Sequence, residues 1–324
     1  MRSFAPQSVM LGPVSDILEQ LRSACGLVAG RARHVHVITE AVPAYAASLP
    51  LDMAPVPDAD PGPAAHLPRS SPEVLSAFWL TLDAINFGSG WFPTLRKRGG
   101  RSGYGTVATG LRERFEQRGP WSAAELTGIE PAELATVLGQ DPDHELMDLF
   151  ALSLRDLGDR IAAEHGGRFA AAAEAAGGSA LALVEHLRHW DCFGDVSEYD
   201  GLRVPFLKRA QITAADLARA GVAPFTDLNR LTMFADNLVP HVLRLDGVLR
   251  FEPGLVERIE RGDLLVHGSP EEVEIRACSL HAVELIVAAQ PAACAADVDR
   301  WLWNRGQQPS YKAVPRHRAR CRAY

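Results

Sequence analysis

No apolar run in this 324-residue chain approaches membrane-spanning length, and its first residues lack the apolar core of a secretory leader. The five cysteines, Cys25, Cys192, Cys278, Cys294 and Cys321, are scattered without CxxC spacing. That argues against a disulfide frame or a thiolate zinc site and points to reduced thiols in a cytoplasmic protein. The histidine pairs are equally incomplete. His34 and His36, and His186 and His189, have no acidic or thiol cluster beside them in sequence, so surface or capping roles are expected and no metal site. Positive charge is not in excess either. The formal net charge is −7, which argues against a surface for duplex DNA or another long polyanion. Basic residues gather in 94–118 and 315–322, a distribution that suits a small anion better. Alternating strand patterns are few, and no internal repeat is visible.

What is present is a core-forming, helix-rich chain. Hydrophobic residues make up 47% and charged residues 23%, ordinary for a globular protein. Periodicity predicts helices near 14–29, 32–48, 72–86, 105–118, 130–138, 143–164, 179–189, 206–220, 232–244, 253–261, 270–289 and 295–305. Two starts are well marked. Ser71-Pro72-Glu73 and Ser269-Pro270-Glu271-Glu272 each place a cap, a proline at the first helical position and acids in the first turn. Ser269 and Glu272 also have capping-box spacing. Short strands are expected at 247–251 and 263–267, as one small pair. Residues 49–72 carry seven prolines and are expected to be irregular, either a linker or a loop covering a site. Residues 165–180, rich in glycine and alanine, have little bulk to drive packing and are expected to form a surface excursion. The chain is expected to be one domain, 1–324.

The most informative stretch is Leu231-Thr-Met-Phe-Ala-Asp-Asn-Leu-Val-Pro-His241. It sets one carboxylate, Asp236, in apolar surroundings four residues before Pro240, where the backbone should break or kink. Such a carboxylate is either a helix cap or a rigidly held catalytic group, and spacing alone leaves the two open.

Four further segments stand in order with it. They are Phe78-Trp-Leu-Thr-Leu-Asp-Ala-Ile-Asn-Phe87, Phe206-Leu-Lys-Arg-Ala-Gln-Ile212, Glu274-Ile-Arg-Ala-Cys-Ser-Leu-His-Ala-Val-Glu-Leu-Ile286 and Pro315-Arg-His-Arg-Ala-Arg-Cys-Arg-Ala-Tyr324. In this order and spacing the chain resembles the queuosine 5′-phosphate N-glycosylase/hydrolase family, from about His66 to the C-terminus. The resemblance implies a mainly α-helical domain like the helix-hairpin-helix DNA glycosylases, with 206–243 as the hairpin region. It implies hydrolysis of a small nucleotide, queuosine 5′-phosphate, to queuine and ribose 5-phosphate, with no metal or organic cofactor, no membrane and no direct nucleic-acid partner.

The resemblance also assigns residues. Asp236 matches the catalytic aspartate, and Phe234 lies beside it. Lys208 becomes a ligand for the 5′-phosphate or a partner for Asp236, against its ordinary fate as a solvated lysine. Asn86, Phe87 and Trp91 become contacts to the base; Trp91 and Phe92 follow a glycine turn, a good place for a ring that stacks on a base, and the plain alternative for Phe87 is core. Asp299, Trp303 and Asn304 supply polar groups to the base, with Asp297 competing with Asp299. Glu284, on an apolar helical stripe, is a ligand contact or one half of a buried pair with an arginine. His66, Phe193 and Asp195 are further possible walls. His317, Arg318 and Tyr324 belong to a basic tail that the resemblance ties down as an anion site. Two other readings stand beside it: a glycosylase acting on DNA, which the net charge disfavours, and a helical binding module for a nucleoside or tRNA, which Asp236 disfavours.

Overall fold

The computed structural model describes residues 16–50 and 70–324. His66 and nearly all of the proline-rich segment lie outside the described residues. Among those described, fifteen α-helices and two short antiparallel ribbons follow one another as α1 (Ile17–Ala29), β1 (Val35–Val37), α2 (Val42–Ser48), α3 (Pro72–Ala84), α4 (Gly103–Arg118), α5 (Ala123–Thr127), α6 (Pro131–Leu138), α7 (Glu145–His165), α8 (Phe169–Ala175), α9 (Ala180–Leu187), β2 (Val196–Tyr199), β3 (Leu202–Pro205), α10 (Lys208–Arg219), α11 (Val239–Leu245), β4 (Leu249–Phe251), α12 (Pro253–Glu260), α13 (Pro270–Ala289), α14 (Ala295–Arg305) and α15 (Pro309–Lys312). The protein is mainly helical, as expected. None of the described helices is long and apolar enough to cross a membrane.

The two marked helix starts form as the sequence predicts. Ser71 Oγ accepts the Val74 N–H at 3.3 Å, and Ser269 Oγ accepts the Glu272 N–H at 3.4 Å. Glu272 departs from the capping box, however. Its carboxylate takes the Gly268 N–H at 3.0 Å instead of the cap residue's own amide.

Helix α13 runs through the centre and packs against α1, α2, α11 and α14. Over residues 272–280 it is buried on all sides, yet it carries Glu272, Glu274, Arg276 and Ser279 at 0% exposure. A buried charge must find partners, and these partners organise the fold. Glu274 Oε2 accepts three successive backbone N–H groups, from Arg33, His34 and Val35, at 3.0, 2.6 and 3.0 Å. This explains why residues 33–37, inside a segment expected to be helical, are extended. Their amides are spoken for by a carboxylate, and β1 then pairs with β4 through Val35–Phe251, His36–Arg250 and Val37–Leu249. The expected partner of β4, residues 263–267, instead meets the C-terminal tail through Leu265 and Ala319.

One other expectation is corrected, and one element had not been expected. Residues 165–180 are not a surface excursion: Glu73 on α3 accepts the Phe169 and Ala170 amides at 2.7 and 2.8 Å, capping α8. Small alanines then let α8 lie close against α3, with Phe169, Ala172 and Ala173 buried. Residues 196–205 form a hairpin, β2–β3, turning at Asp200 and Gly201, whose φ values are +46° and +75°. Positive φ at both central residues is the geometry that Asp-Gly favours.

Candidate active site

The backbone does break before Pro240. Residues 231–238 are not helical, and α11 begins only at Val239. Pro240 sits in the first turn, where its missing N–H costs nothing. The irregular segment is pinned on four sides. Thr232 N–H donates to Gln211 Oε1 on α10 (2.9 Å), Phe234 N–H to Asp299 Oδ1 on α14 (2.9 Å), and the Ala235 carbonyl accepts Arg276 Nε on α13 (3.0 Å). Asn237 Nδ2 donates to the His317 carbonyl in the tail at 3.2 Å. Asp236 Oδ1 accepts the Leu238 and Val239 N–H groups at 2.8 and 3.3 Å. The cap is therefore real. It uses one oxygen and fixes the carboxylate, and among the described residues Oδ2 accepts no hydrogen bond.

Asp236 lines a cavity of about 720 Å³, ample for a small organic ligand. The cavity is shared by residues from α3, α4, α10, α14 and the tail. Of the sequence candidates, Asn86, Phe87, Lys208, Phe234, Asp236, Asp299, Trp303, Arg318 and Tyr324 line it. Asp299 is 5% exposed, and its pKa is raised well above the carboxylate range, first by burial and then by the Asp236 charge. Lys208, 4% exposed, donates to Asn86 O at 3.0 Å and Asn86 Oδ1 at 3.2 Å. Burial lowers its pKa, and Asp236 is the strongest charge opposing that shift. Lys208 is thus beside Asp236 and Asn86. It enters from a strained position: Leu207 just before α10 is left-handed at φ +51°, with its N–H on the Asp195 carbonyl at 3.2 Å.

Cations gather on the same cavity. Lys97 is held below the usual lysine range by burial, then by Arg318 and Arg316. Burial likewise lowers Arg316, which Asp236 attracts and Arg318 repels. Among the described residues no acid pairs with Lys97, Arg316 or Arg318, although acids occupy most surface arginines elsewhere. Apolar walls come from Trp79, Phe92, Tyr104 and Trp303, the last two edge-to-face with centroids 6.5 Å apart.

Six candidates lie off the cavity lining. The Trp91 indole N–H donates to Glu145 at 2.7 Å and its face is covered by Arg320, so its neighbour Phe92 lines the cavity instead. Phe193 is fully buried against Trp190. Asp195 is a support: it accepts the Lys208 amide at 3.1 Å and Arg276 Nη2 at 2.6 Å. Glu284 pairs with Arg22 at 3.1 Å, the plainer of its two readings. Asn304 and His317 are buried and do not line the cavity. Lys97, Arg316 and Tyr104 were not singled out from the sequence; the local basicity of 94–118 and 315–322 was the signal for the two cations.

The match to known proteins covers this whole assembly. A family model described as queuosine salvage protein matches residues 66–324. The chain belongs to the queuosine salvage protein family. A relative from Sphaerobacter thermophilus is 38% identical over 261 residues, covering 76% of this chain and 81% of the relative. A mouse relative is 28% identical, covering 79% and 84%, and one from Bos taurus is 29% identical, covering 79% and 84%. All three carry the name queuosine 5′-phosphate N-glycosylase/hydrolase. As a member of the queuosine salvage family, the chain brings the Asp236 segment, Lys208, α13 and the tail within the matched region.

Proposed function

We propose that this protein hydrolyses the N-glycosidic bond of queuosine 5′-phosphate, releasing queuine and ribose 5-phosphate. The observation that carries the reading is a capped, cavity-lining Asp236 beside a buried Asp299 of raised pKa, in a cavity that also holds Lys97, Arg316 and Arg318, which pair with no acid among the described residues. Cleavage moves the C1′–N bonding pair onto the base and leaves positive charge on the sugar. Asp236 stabilises that oxocarbenium-like state, as a fixed carboxylate in a partly desolvated site can. Lys208 and Asn86 position it. Water then adds hydroxide to C1′, and its other proton ends on the departing base, directly or by replacing the one that a carboxylic acid has given to the base.

The base is a 7-deazaguanine, with carbon where guanine has N7. Protonation at that atom is unavailable to help it leave. Asp299, whose burial and nearness to Asp236 raise its pKa and so favour the protonated form, donates a hydrogen bond or proton to another polar atom of the departing base. Two carboxylates whose environments push their protonation apart are a familiar acid and stabiliser pair. Lys97, Arg316 and Arg318 receive the 5′-phosphate, and Trp303, Tyr104 and Phe92 flank the base. No step calls for a metal or an organic cofactor. In the same reading the chain is one cytoplasmic domain, 1–324, acting on a free nucleotide. By the same resemblance it shares the helix-hairpin-helix glycosylase plan, with 206–243 as the hairpin region. Incubation with queuosine 5′-phosphate and mass spectrometry of the products tests it. Release of queuine and ribose 5-phosphate is expected; an intact nucleotide after prolonged incubation would overturn the reading.

A further inference from the structure

Outside the cavity, the last turn of α7 and the facing side of α9 bring together Glu164, His165 and His186. His165 Nε2 and His186 Nε2 are 3.1 Å apart, and Glu164 Oε2 is 3.3 Å from His186 Nε2. Among the described residues this is a group whose carboxylate and imidazole ligand atoms all lie within 4.8 Å of one another. Sequence spacing suggested His186 with His189 as the nearest pair. The fold exchanges His189 for a histidine twenty-one residues earlier on another helix.

The geometry is close to what a tetrahedral ion needs. Bonds of roughly 2.0–2.1 Å at the tetrahedral angle set two ligand atoms about 3.4 Å apart. The observed 3.1 and 3.3 Å differ from that by a few tenths of an ångström, within reach of small ring rotations. The set has outer support too. The Trp190 indole N–H donates to Glu164 Oε2 at 3.1 Å, and Arg160 holds the other oxygen, Oε1, at 3.1 Å. Trp190 also packs against both rings, with centroids 5.9 and 5.2 Å away. Such contacts orient ligands and tune their affinity. Burial and the neighbouring ring lower the His165 pKa, which favours the neutral, metal-competent form.

We propose that Glu164, His165 and His186 bind one borderline divalent transition-metal ion, of the Zn²⁺ class, with water in the fourth position. Two imidazole nitrogens and a carboxylate oxygen suit that class and not Mg²⁺ or Ca²⁺, which prefer all-oxygen sets. The ion joins α7 to α9. Since α9 packs on α10, whose first residue is Lys208, it braces the wall behind the cavity without entering the reaction.

The test uses the full chain, freed of metal by a chelator and then titrated with Zn²⁺ and with Co²⁺. Calorimetry should find one Zn²⁺ per chain, with Tm rising by roughly 3–8 °C at saturating ion. Bound Co²⁺ should show a visible tetrahedral band and no near-ultraviolet thiolate band, which separates this site from the cysteines. His186→Ala should remove the calorimetric signal, and Glu164→Gln, which keeps shape and both rings, should weaken it by about tenfold or more. No binding by a folded chain, a thiolate band, or binding unchanged in both variants would overturn the proposal.

Discussion

The Asp299 carboxylate accepts the backbone N–H of Phe234 at 2.9 Å, two residues before Asp236. One acid therefore holds the peptide that carries the other. The pair is built by α14 and the irregular 231–238 segment together, and burial, followed by the Asp236 charge, raises the pKa of Asp299.

Asp236→Asn tests the charge apart from the cap. The amide oxygen of asparagine can still accept the Leu238 and Val239 N–H groups, so the fold should persist. Turnover should fall by roughly a hundredfold or more, the scale of losing one electrostatic stabiliser. Substrate binding by calorimetry should survive, since the ground-state sugar carries no positive charge. Near-normal turnover would remove Asp236 from the chemistry.

Asp299→Asn should leave Tm almost unchanged, because the amide is neutral, like the carboxylic acid form of Asp299 that burial favours. Hydrolysis should fall by about a hundredfold, as for loss of a general acid. The wild type requires protonated Asp299, so its rate should decline as pH rises through the raised Asp299 value. The variant should lack that limb of the pH–rate profile. An unchanged profile would place Asp299 in support of Phe234 alone.

Lys97 and Lys208 should separate by substrate. Lys97→Ala should lower kcat/KM for the 5′-phosphate by roughly 10- to 100-fold, the range for a hydrogen bond to a charged group, and spare the unphosphorylated nucleoside. Lys208→Ala should impair both substrates alike, because Lys208 touches Asn86 and faces Asp236. A Lys208 variant selective for the nucleotide would reassign it to the phosphate.

His267 and Glu272 make stability fall on both sides of neutrality. Despite full burial, which alone would raise it, hydrogen bonding to His267 and the charge of Arg276 lower Glu272 from 4.5 to about 2. That contribution is present above pH 4.5 and is lost as pH falls towards 2, about 3 kcal/mol in all. His267 is raised from 6.5 to about 10, by Cys321 first and Glu272 second, so its share is present below pH 6.5 and is lost as pH rises towards 10. Its ring is 35% exposed, so solvent screens it and the alkaline slope should be the shallower. Melting curves across pH should show both slopes, and Glu272→Gln should flatten the acid one. An acid slope surviving that change would assign it to other carboxylates.

The tail should prove structural as well as functional. Tyr324 is 3% exposed, its ring lies over Arg276 at 4.7 Å, and its carbonyl accepts the Gly88 N–H at 3.1 Å. Deleting 316–324 should therefore abolish turnover and lower Tm by roughly 5 °C or more. Gly90→Ala is a finer probe: a Cβ there would stand 2.6 Å from the Ala319 carbonyl oxygen and push the tail outward. It should reduce turnover with a smaller loss of Tm. Full activity in the truncated chain would make the tail dispensable.

Local signals in the sequence carried furthest where they did not need a distant partner. The Ser-Pro-Glu starts of α3 and α13 are examples, and so is the break before Pro240. The β1–β4 pairing was not legible, because what extends residues 33–35 is Glu274, some 240 positions later. The β2–β3 hairpin had a local signal, Asp200-Gly201 between short runs, in a stretch between two expected helices for which no element was expected. At the site, acids and cations of the right type were visible in the sequence. Which aromatic of Trp91 and Phe92 faces the cavity depended on Glu145 capturing the indole, and no spacing encodes that.

Leucine at position 207, at φ +51°, has a thermodynamic consequence. A left-handed leucine costs on the order of 1 kcal/mol. Glycine would relieve it, yet the more mobile unfolded chain would lose a comparable amount of entropy on folding. Net stability is therefore nearly indifferent to this residue. What leucine retains is direction: 1% exposed, its side chain is anchored in the core and allows the peptide one heading into α10. The Lys208 ammonium is thus aimed by the backbone before the flexible side chain chooses a rotamer.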